Sequence, residues 1–412
     1  MCMYLNKKLL SSFLALILIC STTIIAQKSD KTILINVNLI DGVTYEVQPN
    51  KTITMENGKI TSISNKKSGF DKSAIIVDIE GHYVLPGLID AHVHIDNLEN
   101  AKRALTYGAT TLRSASVGSY KDVALQRLVQ DGKIAGPEII PTGVFVQPKL
   151  GASILADPEL SSLYEGVKTH DDLRELVRIN AKNGVQYIKT RSAERAGSPD
   201  TDPRKQVFTE SELRAIVDEA AKSNIPVMAH AHGSVLAAVK AGVASVEHGT
   251  YASEEALQLM KEKGVYLVPT YSTVEDLTQP GGDYDHPVTT IRGQYMLPQM
   301  AKTVKRAIEI GVPIAASTDS GYGPESLNRV STEVMNFVKL GMPINQALHS
   351  ANLGAAKLLR VDDRTGSIEV GKEADLIVTY GNPLEDISAI QDVITVISNG
   401  KIAINRLPFE RQ

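Results

Sequence analysis

Cysteine is almost missing from this sequence. The 412 residues hold two, Cys2 and Cys20. Both lie in the first 26 residues, so a chain trimmed after that segment would have none. That excludes disulfides and thiolate metal ligands from the remainder. Any metal site there must use histidine, aspartate, glutamate or a modified lysine. An excess of one charge is also lacking. Lys and Arg number 43 against 47 Asp and Glu, for a formal net charge of −4. Nothing in that balance calls for a nucleic-acid partner. What is present is an ordinary globular mixture, 43% hydrophobic and 22% charged. The length allows one large barrel or two to three domains.

Residues 1–26 stand apart. Lys7 and Lys8 make a basic start, residues 9–25 are largely apolar, and Ala26-Gln27 has the look of a cleavage point. This is the pattern of a secretory signal peptide and implies a periplasmic or secreted protein. A membrane anchor is the competing reading, because the apolar run approaches spanning length. Ser11, Ser12 and the Ser21-Thr22-Thr23 cluster weaken it. Lipidation at Cys20 is a lesser alternative, since Ile19 stands where such sites want a small residue. With the signal removed, no membrane partner is expected.

From Lys31 the texture is short β-like runs. "ENGKITSI" reads as strand, Asn-Gly turn, strand. The same texture returns near the other end in "DVITVISNGKIAIN". Matching chain ends predict one small sheet domain built from residues 31–84 and 361–406. Residues 85–360 would then be a single inserted unit. That middle alternates strand and helix, with strands expected at 84–94, 110–113, 138–143, 187–190, 227–232, 245–249, 266–271 and 313–320. The clearest helix is "TESELRAIVDEAAKSN". Thr209 and Glu212 have capping-box spacing, and Leu213, Ile216, Val217 and Ala220 follow helical periodicity. Eight alternations predict an α/β fold, a (β/α)8 TIM barrel, with its site at the strand C-terminal ends. Two longer loops, 145–171 and 272–298, are candidate lids.

Nine histidines are present. His92, His94, His230, His232 and His248 fall at predicted strand ends or just beyond. Asp319 and Lys189 end two further strands. His82, His170, His286 and His349 lie elsewhere and read as surface or packing residues. One strand-end histidine is more often structural than a ligand. Five histidines, an aspartate and a lysine on one face of one barrel favour a metal site, because neutral imidazole and carboxylate suit zinc and similar divalent ions. Lys189 is the odd member. It could be a substrate-binding cation or a strand-end ion pair. Converted by carbon dioxide to a carbamate, it would instead be an anionic ligand able to bridge two metals, which is the favoured reading.

The segments "PGLIDAHVH", "GVQYIKT", "VMAHAHG", "SVEHGT" and "ASTDSG", with the tail "TGSIEVGKEADLIV", resemble the amidohydrolase superfamily in its binuclear metal-dependent branch. The chain looks most like the imidazolonepropionase-related group that contains Xaa-Pro dipeptidases, over nearly all of residues 32–405. The resemblance implies that the small terminal domain is a β-sandwich. It implies one metal on His92, His94 and Asp319, a second on His230 and His248, and carboxylated Lys189 and a hydroxide between them. Zinc is the default, though manganese, cobalt or iron would fit the same donors. His232 resembles a residue that contacts substrate. Asp319 would carry the proton from hydroxide to leaving nitrogen. Arg191 and Tyr271, with Arg195 behind them, are candidates to bind a substrate carboxylate. Two departures are visible. The segment after His94 is short, which should open one side of the pocket, and "TLRSAS" stands where many relatives have "TVRD". The expected activity is hydrolysis of an amide bond, in an Xaa-Pro dipeptide or an N-acyl amino acid. A cyclic-amide hydrolase or deaminase is the alternative, but Gly233 stands where such deaminases carry a glutamate. A non-catalytic binding protein on a degenerate barrel would lack ligands, and none is missing. Self-association is left open.

Overall fold

The computed structural model describes residues 31–407 except 280, 282, 283 and 327. The expected signal peptide, its cleavage point and Cys20 lie outside the described residues. Among these residues no helix is long and apolar enough to cross a membrane.

Five strands open the chain: β1 (Lys31–Ile40), β2 (Val47–Glu56), β3 (Lys59–Ser64), β4 (Ile75–Asp78) and β5 (Tyr83–Pro86). Seven follow in the middle: β6 (Leu88–Val93), β7 (Ala109–Ser114), β8 (Glu138–Ile140), β9 (Ile188–Arg191), β10 (Val227–Ala231), β11 (Ser245–His248) and β12 (Tyr266–Val268). The last three are β13 (Leu376–Thr379), β14 (Val393–Ser398) and β15 (Lys401–Asn405).

Both chain ends enter one eight-stranded sheet, ordered β15-β14-β13-β5-β1-β2-β3, with β4 also paired to β1. The two "NGK" turns are where the sequence puts them. Asn57 and Gly58 both have positive φ between β2 and β3, and so do Asn399 and Gly400 between β14 and β15. Two successive left-handed residues give the hairpin turn whose twist matches its strands. Side chains alternate across this sheet. Leu376 and Val378 join the sheet's own apolar cluster. Ile377 and Val396 point the other way, into the large core of the middle unit. Hydrogen-bonded pairing links all eight strands of the terminal region in one continuous sheet.

The middle is a TIM-barrel-like α/β unit. Parallel strands form two sheets, β6-β7-β8 and β12-β11-β10-β9. Single parallel bridges link their edges: Val146 to Thr190, Leu267 to Ile314, and Val93 to Ser320. The expected eighth strand, 313–320, thus makes isolated bridges and no strand of its own. The expected first strand divides at Gly87. Its first half belongs to the terminal sheet and its second half to the barrel-like unit. A Cβ on Gly87 would come within 2.1 Å of Thr110 Oγ1, so the crossing backbone has room only for glycine.

Helices cover the strands. Glu210–Ala221 starts at the expected capping box, with Thr209 and Glu212 bonding reciprocally, and buries Leu213, Ile216 and Ala220. One expected lid is largely helical. After β12 the chain forms a short helix, Tyr271–Asp276, and then a long one, Pro287–Ile310. Pro298 lies inside the long helix and does not end it. The other, 145–171, holds two short 3-10 turns, Gly151–Leu155 and Pro158–Leu163.

Candidate metal centre

The C-terminal ends of β6, β9, β10 and β11 and the segment 313–320 meet around one cavity of about 530 Å³. His92, His94, Lys189, His230, His232, His248 and Asp319 all line it, as do Arg191 and Arg195. The backbone is bent to bring them there. His248 has φ +72°, Asp319 +53°, Thr270 +52° and Ser116 +82°. In a regular strand His248 would point away from the face shared by Ser245 and Glu247. The left-handed turn swings it into the cavity, at a cost of about 1–2 kcal/mol per non-glycine residue. Strain of this kind gathers at functional sites.

Neighbours of the histidines fix where their protons sit. His94 Nδ1 donates to the Ser116 carbonyl at 2.6 Å. His230 Nε2 donates to the Glu194 carbonyl at 3.2 Å. Thr270 gives its hydroxyl proton to the Pro269 carbonyl, so its oxygen must accept from His248 Nδ1 at 2.7 Å. His92 Nδ1 donates to Glu247 Oε2 at 2.6 Å. A neutral imidazole has one N–H. In the neutral imidazole that leaves Nε2 of His92, His94 and His248 and Nδ1 of His230 as the nitrogens able to ligate.

Those nitrogens face one another and a carboxylate. His230 Nδ1 and His248 Nε2 lie 2.8 Å apart. Asp319 Oδ1 is 3.2 Å from His92 Nε2 and 3.0 Å from His94 Nε2. For the His230–His248 pair, acceptor against acceptor at this distance is repulsive unless a cation lies between them. Protons do not supply that cation at His230 and His248. Burial, then the neighbouring histidines, holds both imidazoles well below their ordinary range. The donor set fits divalent metal ions bound by nitrogen and oxygen. Among the described residues two overlapping groups have donor atoms close enough to hold an ion, His230, His232 and His248, and His92, His248 and Asp319; His248 belongs to both and its one free nitrogen can serve only one of them.

His232 belongs to the first cluster as well as to the cavity wall. Its ring stacks on His248 with centroids 4.6 Å apart, its Nδ1 meets Thr250 Oγ1 at 2.9 Å, and burial pushes it down to about 3. Lys189 is buried, with Nζ 3.3 Å from His92 Nε2. Burial brings its ammonium down to about 7, so a neutral amine is accessible near physiological pH. Arg191 lies over the Phe145 ring, 4.5 Å from its centroid, and donates to Gln147 Oε1 at 3.1 Å.

Tyr271 is the one expected site residue that does not line the cavity. The chain leaves β12 at Val268, turns left-handed at Thr270, and enters a helix at Tyr271. Buried Glu333 accepts the Tyr271 and Ser272 N–H groups at 2.7 and 2.8 Å, which sets that helix in place. The tyrosine that lines the cavity is Tyr284.

Sequence reasoning missed the layer beneath the histidines. Arg113 is fully buried and donates to the Ala91 carbonyl, to Ser245 Oγ and to both oxygens of Glu247. Glu247 in turn orients His92. Burial would raise the Glu247 carboxyl, but Arg113 and the His92 N–H more than offset it and hold it at about 2. Asp90, on β6 itself, does similar work. It accepts from Thr318 N–H and hydroxyl and from Tyr322 hydroxyl at 2.7–3.0 Å, pinning the turn that carries Asp319.

Comparison with known proteins agrees with this geometry. Residues 83–403 match the model of the amidohydrolase family. This chain belongs to that family. It is 30% identical to an ochratoxinase of Aspergillus niger over 368 residues, covering 77% of this chain and 75% of that one. It is 24% identical to an imidazolonepropionase of Geobacillus kaustophilus, covering 86% and 90%. The crystal structure of a Xaa-Pro dipeptidase with methionine bound in its active site superposes with a TM-score of 0.79 at 31% identity, covering 90% of this chain and 99% of that one. The chain is a hydrolase of the amidohydrolase type acting on a small molecule.

Proposed function

We propose that this family member hydrolyses a linear amide bond in a small substrate with a free carboxylate, an Xaa-Pro-type dipeptide or an N-acyl amino acid, using two divalent metal ions. The carrying observation is the convergence of four imidazoles, His92, His94, His230 and His248, and the Asp319 carboxylate on one cavity. In this reading His92, His94 and Asp319 hold one ion and His230 and His248 the other, with zinc as the default. His232, in the same cavity wall as His230 and His248, would be placed to meet substrate. Lys189, converted to a carbamate, would be a further anionic ligand. Its neutral amine adds to carbon dioxide, a C–N bond forms, and one proton leaves.

Bound ions would supply Lewis acidity toward the amide carbonyl and a water acidified towards neutrality. The chain does the rest. Asp319 accepts the proton of the attacking water and delivers it to the departing nitrogen, a transfer worth about 10²–10⁴ in rate. Arg191 lies over the Phe145 ring and, among the described residues, its guanidinium makes one hydrogen bond, to Gln147. That leaves guanidinium N–H groups for a substrate carboxylate. The Xaa-Pro dipeptidase with bound methionine, an amino acid with a free carboxylate, supports this class of ligand. Gly233 argues against a deaminase. A Cβ there would meet the Arg204 backbone at 2.7 Å, leaving no room for a glutamate. The closed eight-strand barrel, the two-layer terminal sandwich with the domain limits given above, and export after cleavage at Ala26 complete the proposal.

A panel of dipeptides and N-acyl amino acids, each as free acid and as C-terminal amide, tests it with metal-loaded protein. Free acids should be cleaved and their amides should not. Arg191→Ala should raise KM for the free acids by about 10–100-fold, the worth of a charged hydrogen bond, with less effect on kcat. Ammonia release or cleavage of cyclic amides alone would overturn the reading.

A further inference from the structure

The segment after β9 is a hairpin that folds across the cavity. Glu194 N–H donates to the Lys205 carbonyl and Val207 N–H to the Ser192 carbonyl. Ala193 and Gln206 form an antiparallel bridge. Its base lies at the chemistry, because the Glu194 carbonyl takes the His230 proton. It also carries Arg195, Ala196 and Gly197 into the cavity wall.

One side chain from another element holds the hairpin's tip. Arg292, on the long helix Pro287–Ile310, donates to four backbone carbonyls of this hairpin. Nη1 reaches Ala196 and, at 2.6 Å, Ser198. Nη2 reaches Pro199 at 3.3 Å and Thr201 at 2.6 Å. A planar guanidinium with five fixed donors suits this task and lysine, with one nitrogen, does not. Beside the clamp, Gly197 sits against the Tyr284 ring. A Cβ on it would approach Tyr284 Cδ1 to 2.7 Å. The hairpin and Tyr284, in the segment leading into the helix, are thus in contact where both line the cavity.

We propose that Arg292 is a positioning residue that latches hairpin 192–207 and so limits the length of substrate beyond the carboxylate. The inference rests on the amide-hydrolase reading above. Arg191 precedes the hairpin directly, so a carboxylate bound there faces the hairpin next. A substrate extended past that carboxylate must displace the latched tip.

Arg292→Ala unlatches it from the helix side. Gly197→Ala wedges it open from the Tyr284 side and leaves Arg292 intact. Both are compared with the native chain in hydrogen exchange and in turnover of an Xaa-Pro dipeptide against its C-terminally extended tripeptide. Faster exchange at residues 195–201 is expected in both variants. The tripeptide-to-dipeptide ratio of kcat/KM should rise about tenfold, the scale on which pocket shape discriminates. Dipeptide KM should rise more than kcat falls. Arg292→Lys should resemble Arg292→Ala. General destabilisation would lower both substrates alike, and an unchanged ratio overturns the length limit. Unchanged exchange overturns the latch itself. If the native chain cleaves neither dipeptides nor N-acyl amino acids, the amide-hydrolase reading fails and the length limit with it, while the exchange result still decides the latch.

Discussion

Two buried carboxyls, one in each part of the molecule, behave in opposite ways. Glu247 lies under the metal centre and Asp375 in the terminal region, at the start of β13. Both are buried. Glu247 is held at about 2, since burial is outweighed by Arg113 and His92. Asp375 is pushed up to about 7 by burial, with only the Asn399 N–H and the Thr365 hydroxyl to oppose it. Burial alone neutralises an acid. An acid stays ionised inside a protein only where cations or oriented N–H groups are built around it. The barrel-like unit has spent an arginine to keep a negative charge under His92. Among the described residues the terminal sheet sets one N–H and one hydroxyl against Asp375 and no cation, so its carboxyl stays far above the usual range.

That contrast can be broken from the site outward. The largest effect is expected from Lys189→Ala, which should abolish most turnover and lower metal occupancy together. Unchanged occupancy and turnover in that variant would remove Lys189 from the centre. A smaller loss is expected from Glu247→Gln. It leaves Arg113 buried without its counter-charge and His92 without its anionic partner. Metal affinity should fall about 10–100-fold, the usual cost of losing a carboxylate behind a ligating histidine. Titration calorimetry with zinc reads this without any assay of activity, and an unchanged affinity would reduce Glu247 to a packing residue.

The smallest effect is expected from Asp375→Asn and appears only as a pH dependence of stability. The folded-state pKa of Asp375 lies above its ordinary value of 3.8. The native state therefore binds the extra proton, and the stability this brings is complete below about pH 4 and lost as pH rises through about 7. An asparagine cannot lose that proton. The melting temperature of the variant should gain on that of the native chain between pH 5 and pH 8. A constant difference across that range would show that Asp375 is not protonated in the fold.

Much of the site was readable because parallel strands deliver their last residues to one end. His92, His94, Lys189, His230, His248 and Asp319 could each be placed from a strand ending alone. Other features follow rules that leave little trace in sequence. Tyr271 was expected at a strand end, but β12 stops three residues earlier, and the left-handed residue that redirects the chain is a threonine. His248 and Asp319 adopt the same conformation with no glycine to signal it. Arg113 and Glu247 stand in plain view in "TLRSAS" and "SVEHGT". Their partnership joins two strands 134 positions apart, and a pattern of alternation along one strand cannot reveal it. The long helix was hidden by its own prolines. Pro287 opens it, where a missing N–H costs nothing, and Pro298 sits within it, at the far bound of the expected loop 272–298.

The most direct measurement is anomalous diffraction from crystals of protein grown with zinc, combined with metal content per chain. Two ions per chain are predicted, one against His92, His94 and Asp319 and the other against His230 and His248, with added density on Lys189 Nζ reaching both. An empty cavity, or zinc only at surface histidines such as His170 and His286, would contradict the account.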